Sequence, residues 1–339
     1  LRGRHFWYQR TPRSLDRALE YFTKAIEIDP DYALAWSGLA DTYRVSPLYA
    51  GAPRYRTIPL GLEAAEKALS LDDSLAETHT SLGGALSDEG KFPEAEKHFQ
   101  RALELNPNYL LAYFWSGTNF GDWRRDQEAI ERYQQALELD PMSPPIAGNL
   151  SMHYRDIGEL GRAQEILDRA IALSPESSAP YVQYAWLHTI RGDKQKALEL
   201  AEKALTLNPT SLFTIRNVAF IYLRANHFER AIEVLEEAKA MEPAFERVVH
   251  SQLGDVFSRM KQFEQAIEHH QKAINLDPQN SDSYLDLGWT YWSIKDWENT
   301  ANAWERVVEL QPDNAGALQI LGCVLGILGH REREWECYE

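Results

Sequence analysis

Proline recurs along this chain at a spacing that few folds accommodate. Pro107, Pro141, Pro175, Pro209 and Pro243 stand 34 residues apart, Pro278 follows after 35, and Pro312 after 34 more. Pro30 precedes Pro107 by 77 residues, one unit of 34 plus one of 43, and Asp73 takes the proline's place between them. Most of these prolines close one type of phrase: KAIEIDP, RALELNP, QALELDP, KALTLNP or KAINLDP. Proline lacks an N–H and disfavours the helical conformation in the residue before it, so each phrase reads as a helix stopped at Asp/Asn-Pro. A fixed period of this length marks a stacked repeat array rather than two compact domains.

Inside each unit small residues fall at fixed offsets. Ala95, Ala129, Ala163, Ala197, Ala231 and Ala266 lie twelve residues before their prolines, and Ala102, Ala136, Ala170, Ala204, Ala238 and Ala273 five before. Seven residues are two helical turns, so both columns share one face, where a small side chain lets a second helix approach. A third column reads Ala40, Gly83, Gly117, Ser151, Ala185, Ala219, Gly254, Gly288 and Gly322, with large neighbours such as Trp36, Leu39 and Tyr43. Each unit therefore reads as a helix, a short turn (DEGK, IRGD, SIKD) and a second helix. Strand-like runs between helices are absent, which excludes a doubly wound or barrel fold.

This pattern resembles the tetratricopeptide repeat, with Leu82, Gly83, Ala95, Phe99, Ala102 and Pro107 of the unit 76–109 in register with its W-x2-L-G-x2-Y…A-x3-F…P signature. The resemblance implies an all-α, right-handed superhelical solenoid of about ten helix-turn-helix units. Units start at residues 33, 76, 110, 144, 178, 212, 247 and 281. Residues 1–32 form a degenerate first unit, 33–75 a long unit with an insertion at 45–60, 76–314 seven regular units, and 315–339 a truncated last one. The stretch HFWYQRTPRSLDRALEYFTKAIEIDPDYALAWSGLADTY is also similar to the repeat region of bacterial signalling proteins that carry winged-helix, adenylate-cyclase or kinase domains. None of those effector domains is present. The chain starts without Met and its helical pattern runs on to Glu339, so a piece of a longer protein is expected.

In this repeat family positions 2, 5, 9, 12 and 13 of each unit line a concave groove. Position 9 reads Asp41, Gly84, Thr118, Met152, Trp186, Phe220, Asp255, Trp289 and Cys323, and is aromatic at three of the four units from 178 to 314. Trp292 adds a ring at position 12, while Arg216, Arg224 and Arg259 fall at positions 5, 13 and 13. The earlier half offers Asp41, Arg44, Asp88, Asp122, Arg155 and Asp156, a more acidic set. Rigid rings give contact area at low entropic cost and Arg grips carboxylates in a fork. The expected site is therefore Trp186, Arg216, Phe220, Arg224, Asp255, Arg259, Trp289 and Trp292. Its expected ligand is a protein or an extended peptide, acidic or carboxylate-ended; the alternative is an anionic metabolite. Trp36, Trp304 and Tyr284 occupy packing positions instead. Asn149 and Asn217 alone do not make the asparagine ladder of nuclear-type glycosyltransferase repeats, and the lysines of the chaperone-binding carboxylate clamp are lacking.

Composition removes other classes. Lys and Arg number 35 against 51 Asp and Glu, a net charge of −16, so no direct nucleic-acid binding is expected. No apolar run reaches the roughly 20 residues of a membrane span. Cys323 and Cys337 are too few for a disulfide framework and leave the redox compartment open. The location is not set by the sequence, with a cytoplasmic one favoured over a periplasmic one. No nucleophile elbow, Walker loop, dinucleotide fingerprint or H-E-x-x-H motif occurs, so no enzyme, cofactor or metal is expected. His269 and His270 are adjacent, and so face different sides of a helix. The insertion Val45–Leu60, with Pro47, Pro53 and Pro59, reads as a stiff loop. Leu321, Val324, Leu325, Ile327 and Leu328 open a unit with an incomplete second helix, so self-association there is expected.

Overall fold

The computed structural model describes residues 2–312 and 314–337, and is helical with no strand among them; the end of the helical pattern at Glu339 lies outside the described residues. The chain divides into two compact units, Leu1–Ile221 and Tyr222–Glu339. Within each, helical hairpins follow one another in chain order, first helix against second and second against the next first. A regular repeat pairs a first helix of 13 or 14 residues with a second of 14, as Ala76–Asp88 with Phe92–Leu105 or Ser281–Ser293 with Trp297–Leu310. Neither helix of such a pair would be stable alone in water, and stacking of apolar faces supplies what propensity does not.

The recurring phrases have visible jobs. The residue before the proline caps the second helix, in an extended conformation at Asp29, Asn106 and Glu242. Its side chain then accepts the N–H two residues on: Asp29 from Asp31 at 3.2 Å, Asn106 from Asn108 at 3.1 Å, Asp140 from Met142 at 3.2 Å. Six residues past the proline's carbonyl a ring donates back to it, Trp36 to Pro30, Tyr181 to Pro175 and Tyr284 to Pro278.

The turn inside each hairpin from residue 76 onward has one left-handed residue, at the fifteenth position. Glycine supplies it at Gly90, Gly158, Gly192 and Gly329; Arg124, Asn226, Lys261 and Lys295 adopt it at φ between 61° and 64°. In the long unit the fifteenth position is Pro47, whose ring fixes φ near −65°. The turn therefore cannot form there. The first helix runs on from Ala33 to Tyr49, Gly51 takes the positive φ of 69°, and the second helix spans Arg54–Leu71. The insertion is thus not a loop: it lengthens both helices.

The cores lie between helices, as the small columns require. Ala95, Ala102, Ala129, Ala136, Ala266 and Ala273 are fully buried. The third small column meets the residue eight before the proline, and the two vary together in size. Glycine at 83, 117, 254 and 288 lies against the rings of Phe99, Tyr133, His270 and Trp304. Where the later residue is Leu167 or Ala201, the earlier is Ser151 or Ala185. Trp304 is 2 % exposed, while Trp36 and Tyr284 are half-buried against their cores. At the end of the second unit Leu321, Val324 and Leu325 are buried, with helix Arg331–Glu336 against helix Ala315–Leu328; Ile327 stays exposed and Leu328 half-exposed. No helix among the described residues is long and apolar enough to cross a membrane.

Candidate functional site

The expected groove residues fall in different units. Trp186, Arg216 and Phe220 belong to the first; Arg224, Asp255, Arg259, Trp289 and Trp292 belong to the second.

In the first unit Trp186, on helix Ser178–Arg191, is half-buried, and its indole N–H donates to Asn217 Oδ1 at 2.9 Å. Asn217 in turn donates to the Phe213 carbonyl at 2.8 Å, so both halves of its amide are held. The Phe220 ring packs on Trp186 with centroids 5.2 Å apart and remains 36 % exposed. Arg155 reaches over the same indole at 5.9 Å, and Arg216 is exposed. The result is an exposed ring on a fixed platform, an arrangement with little side-chain entropy left to lose on binding.

The charges earlier in this unit are used internally. Asp41 is buried, pairs with Arg4 and accepts from Ser81 at 2.8 Å. Arg44 lies 3.8 Å above the Trp115 ring and 3.3 Å from Asp88. Burial raises the Asp88 carboxyl above its usual range, against the pull of Arg44. Asn149 donates to the Tyr133 hydroxyl at 3.2 Å. These groups are structural connections between helices rather than offered contacts.

In the second unit Trp289 is 47 % exposed and meets Trp292 and Trp304 edge-on at 5.8 and 5.2 Å. Trp292 continues to Trp297 at 5.3 Å and joins the core around Trp304. Trp289 is thus the surface member of a packed tryptophan chain. Arg224 and Arg259 are exposed. Asp255 differs in kind: it is half-buried, and burial together with Asp286 raises its carboxyl well above the usual range. It is no fixed surface anion.

Sequence reasoning missed the setting of Asp255. It lies with His270 and Asp286, three residues from three helices. His269 pairs with His250 instead, Nδ1 to Nδ1 at 2.9 Å, so the two adjacent histidines do face apart. The available signal was His270 itself, at a position that in the other repeats from 76 to 314 holds Phe99, Tyr133, Leu167, Ala201, Leu235 or Trp304.

Models of the tetratricopeptide repeat match residues 13–32, 76–109, 127–187 and 179–211, and a further TPR repeat model matches 254–295. The chain is built of tetratricopeptide repeats. One curated relative, tetratricopeptide repeat-containing protein trd-1 of Caenorhabditis elegans, is 31 % identical over 87 residues, 26 % of this chain and 11 % of that protein. Among solved structures, yeast Tom70 superposes with a TM-score of 0.63 at 16 % identity, over 85 % of this chain and 60 % of that one. The Cut9–Hcn1 hetero-tetramer of APC/C gives 0.53 at 15 % identity, over 92 % and 59 %. A tetratricopeptide repeat protein from Parabacteroides merdae gives 0.52 at 17 % identity, over 75 % and 99 %. The chain thus spans about a tenth of the worm protein and about three-fifths of the Tom70 and Cut9–Hcn1 chains. At these identities the structures show the shared fold. Tetratricopeptide arrays are protein-interaction scaffolds, generally without catalysis of their own.

Proposed function

We propose that this tetratricopeptide array holds an extended, acidic or carboxylate-ended peptide segment, anchored in the first unit by Phe220. The observation that carries this reading is the Phe220 ring standing exposed on a Trp186 that Asn217 holds in place. A pre-set aromatic anchor of this kind is what binding hot spots are made of. Trp289 offers the second unit an anchor of its own. Arg224 and Arg259, exposed in that same second unit, supply a preference for carboxylates there in a chain that is otherwise acidic. The likeness of residues 5–43 to bacterial signalling proteins supports a role as the interaction part of such a protein, and a parent gene without an effector domain would count against it.

The test is an array of peptides with free carboxyl ends, probed with the whole chain. Acidic peptides should be retained, and Phe220→Ala should weaken them by about 2 kcal/mol, the usual scale of an anchor residue. Arg224→Ala with Arg259→Ala should weaken them at unchanged helical content. Equal retention by the wild type and both variants would end this reading.

A further inference from the structure

The column facing the small residues of the first helices is apolar in every repeat from 76 to 314 but one, and the exception is His270. Its ring is fully buried, and neither Nδ1 nor Nε2 has a hydrogen-bond partner among the described residues. Leaving both nitrogens bare is unusual, since buried polar atoms are nearly always satisfied. The ring is held closely: a Cβ on Gly254 would come within 2.4 Å of its Cε1 and Nδ1.

Two carboxylates complete the surroundings. Asp255 follows Gly254 on helix Glu246–Arg259, and Asp286 comes from helix Ser281–Ser293 of the next repeat. One ligand atom from each of Asp255, His270 and Asp286 lies within 4.8 Å of the other two. Ser251 orients Asp286 by donating to its Oδ2 at 2.9 Å. Two carboxylates this close repel each other unless something positive sits between them. Burial holds both carboxyls above their usual range, reinforced at Asp255 by the charge of Asp286 and at Asp286 by that of Asp282.

We propose that Asp255, His270 and Asp286 bind a divalent first-row transition-metal ion, with zinc as the natural fit. One imidazole nitrogen and two carboxylate oxygens are its ordinary donors, and two negative charges match its own. Tetrahedral donors around zinc stand roughly 3.3 Å apart, so closing on the ion moves each side chain by roughly 1 Å or less. The half-exposed carboxylates leave a fourth position open to water or to a donor from a bound partner. The second hydrogen-bond shell is already present in Ser251.

The experiment uses the whole chain stripped with a chelator, with Zn2+ alone and then Co2+ alone as probes. A single strong site per chain should appear by calorimetry, with a cobalt d–d absorption band and a raised melting temperature on adding zinc. His270→Phe places at 270 the residue that repeat 76–109 carries at this position, so the hairpin has a known solution for folding. It should abolish the cobalt band and weaken zinc by more than about 100-fold, beyond what loss of an outer-shell partner costs. Asp255→Asn and Asp286→Asn should each weaken zinc as well. The pairs His79–His98 and His250–His269 are the competing ligands, and His79→Phe and His250→Phe should leave the strong site unchanged. A wild type without a strong site overturns the proposal. So does zinc affinity that survives His270→Phe or is lost in His250→Phe.

Discussion

Substituting Gly288 by Ala should destabilise this chain, and the same substitution should stabilise it once Trp304 is replaced by Leu. A Cβ at 288 would lie 2.7 Å from Trp304 Nε1, 3.0 Å from Cδ1 and 3.3 Å from Cε2. Packed atoms settle at about 3.5–4.0 Å, so the indole must retreat by roughly 0.5–1 Å. It has nowhere to go: it is 2 % exposed, Trp289 stands edge-on at 5.2 Å, and Val307 and Leu321 fill the same cluster. Overpacking of this size costs about 1–3 kcal/mol. Ala in a helix interior gains about 0.8–1.0 kcal/mol over Gly, so the net loss is about 0–2 kcal/mol. With Leu at 304 the clash is gone and the propensity gain remains, about 1 kcal/mol in favour of Ala. Trp304 Nε1 has no hydrogen-bond partner among the described residues, so removing the ring strands no acceptor. The four chains of the cycle should be compared by urea unfolding followed by far-UV circular dichroism, since fluorescence changes when a tryptophan is deleted. The coupling should be about 1–3 kcal/mol. Additivity within about 0.5 kcal/mol would show that the glycine is not there for the ring.

Lys261→Gly and Lys295→Gly, at φ of 62° and 61°, should each raise stability by about 1 kcal/mol, and Gly192→Ala at φ 79° should lower it similarly. Scanning calorimetry decides this, and lysine variants no more stable than wild type would contradict it. Glu96 is 6 % exposed and accepts from Ser116 at 2.7 Å and Arg132 at 2.9 Å. Glu96→Ala should therefore cost about 1–3 kcal/mol in urea unfolding, with Glu96→Gln milder because it still accepts from Ser116. His79 Nε2 donates to the Asp73 carbonyl at 3.1 Å, which leaves its Nδ1 to accept from His98 Nδ1 at 3.0 Å. Burial, and for His98 the charge of His79, hold both imidazoles below their usual range. The unfolded chain therefore takes up protons first: the pair's contribution is whole above pH about 6.5 and is lost as pH falls below it. Denaturation midpoints from pH 7.5 to 5 should fall less steeply in His79→Phe with His98→Leu than in the wild type, and equal slopes would refute the pairing.

The repeat was legible because its signals are local and recur. Asp/Asn-Pro stops a helix by backbone chemistry alone, and the alanine columns report helix approach whatever lies further off. The long unit was misread because proline ordinarily signals a loop, whereas Pro47 acts by forbidding the left-handed turn that its position requires. At the site, Trp186 and Phe220 could be paired by repeat register. That Asn217 fixes the indole could not, since a side-chain bond between helices leaves no periodic mark. Asp41 and Arg44 show the converse: correct groove positions whose charges are spent on Arg4, Ser81, Asp88 and Trp115.

The bond from a ring to the proline carbonyl six residues back joins two repeats through a stretch shorter than either of them. Trp36, Tyr181 and Tyr284 carry it, and His79 makes the same bond to Asp73 where the proline is missing. The fit of Gly83, Gly117, Gly254 and Gly288 to their rings, by contrast, is complete within one hairpin. A gene that gains or loses one whole period between such units therefore carries these fits with it and regenerates the joint at the seam. Length in such a chain is a heritable variable that changes in steps, and the number of repeats can follow the size of the partner without any core being redesigned.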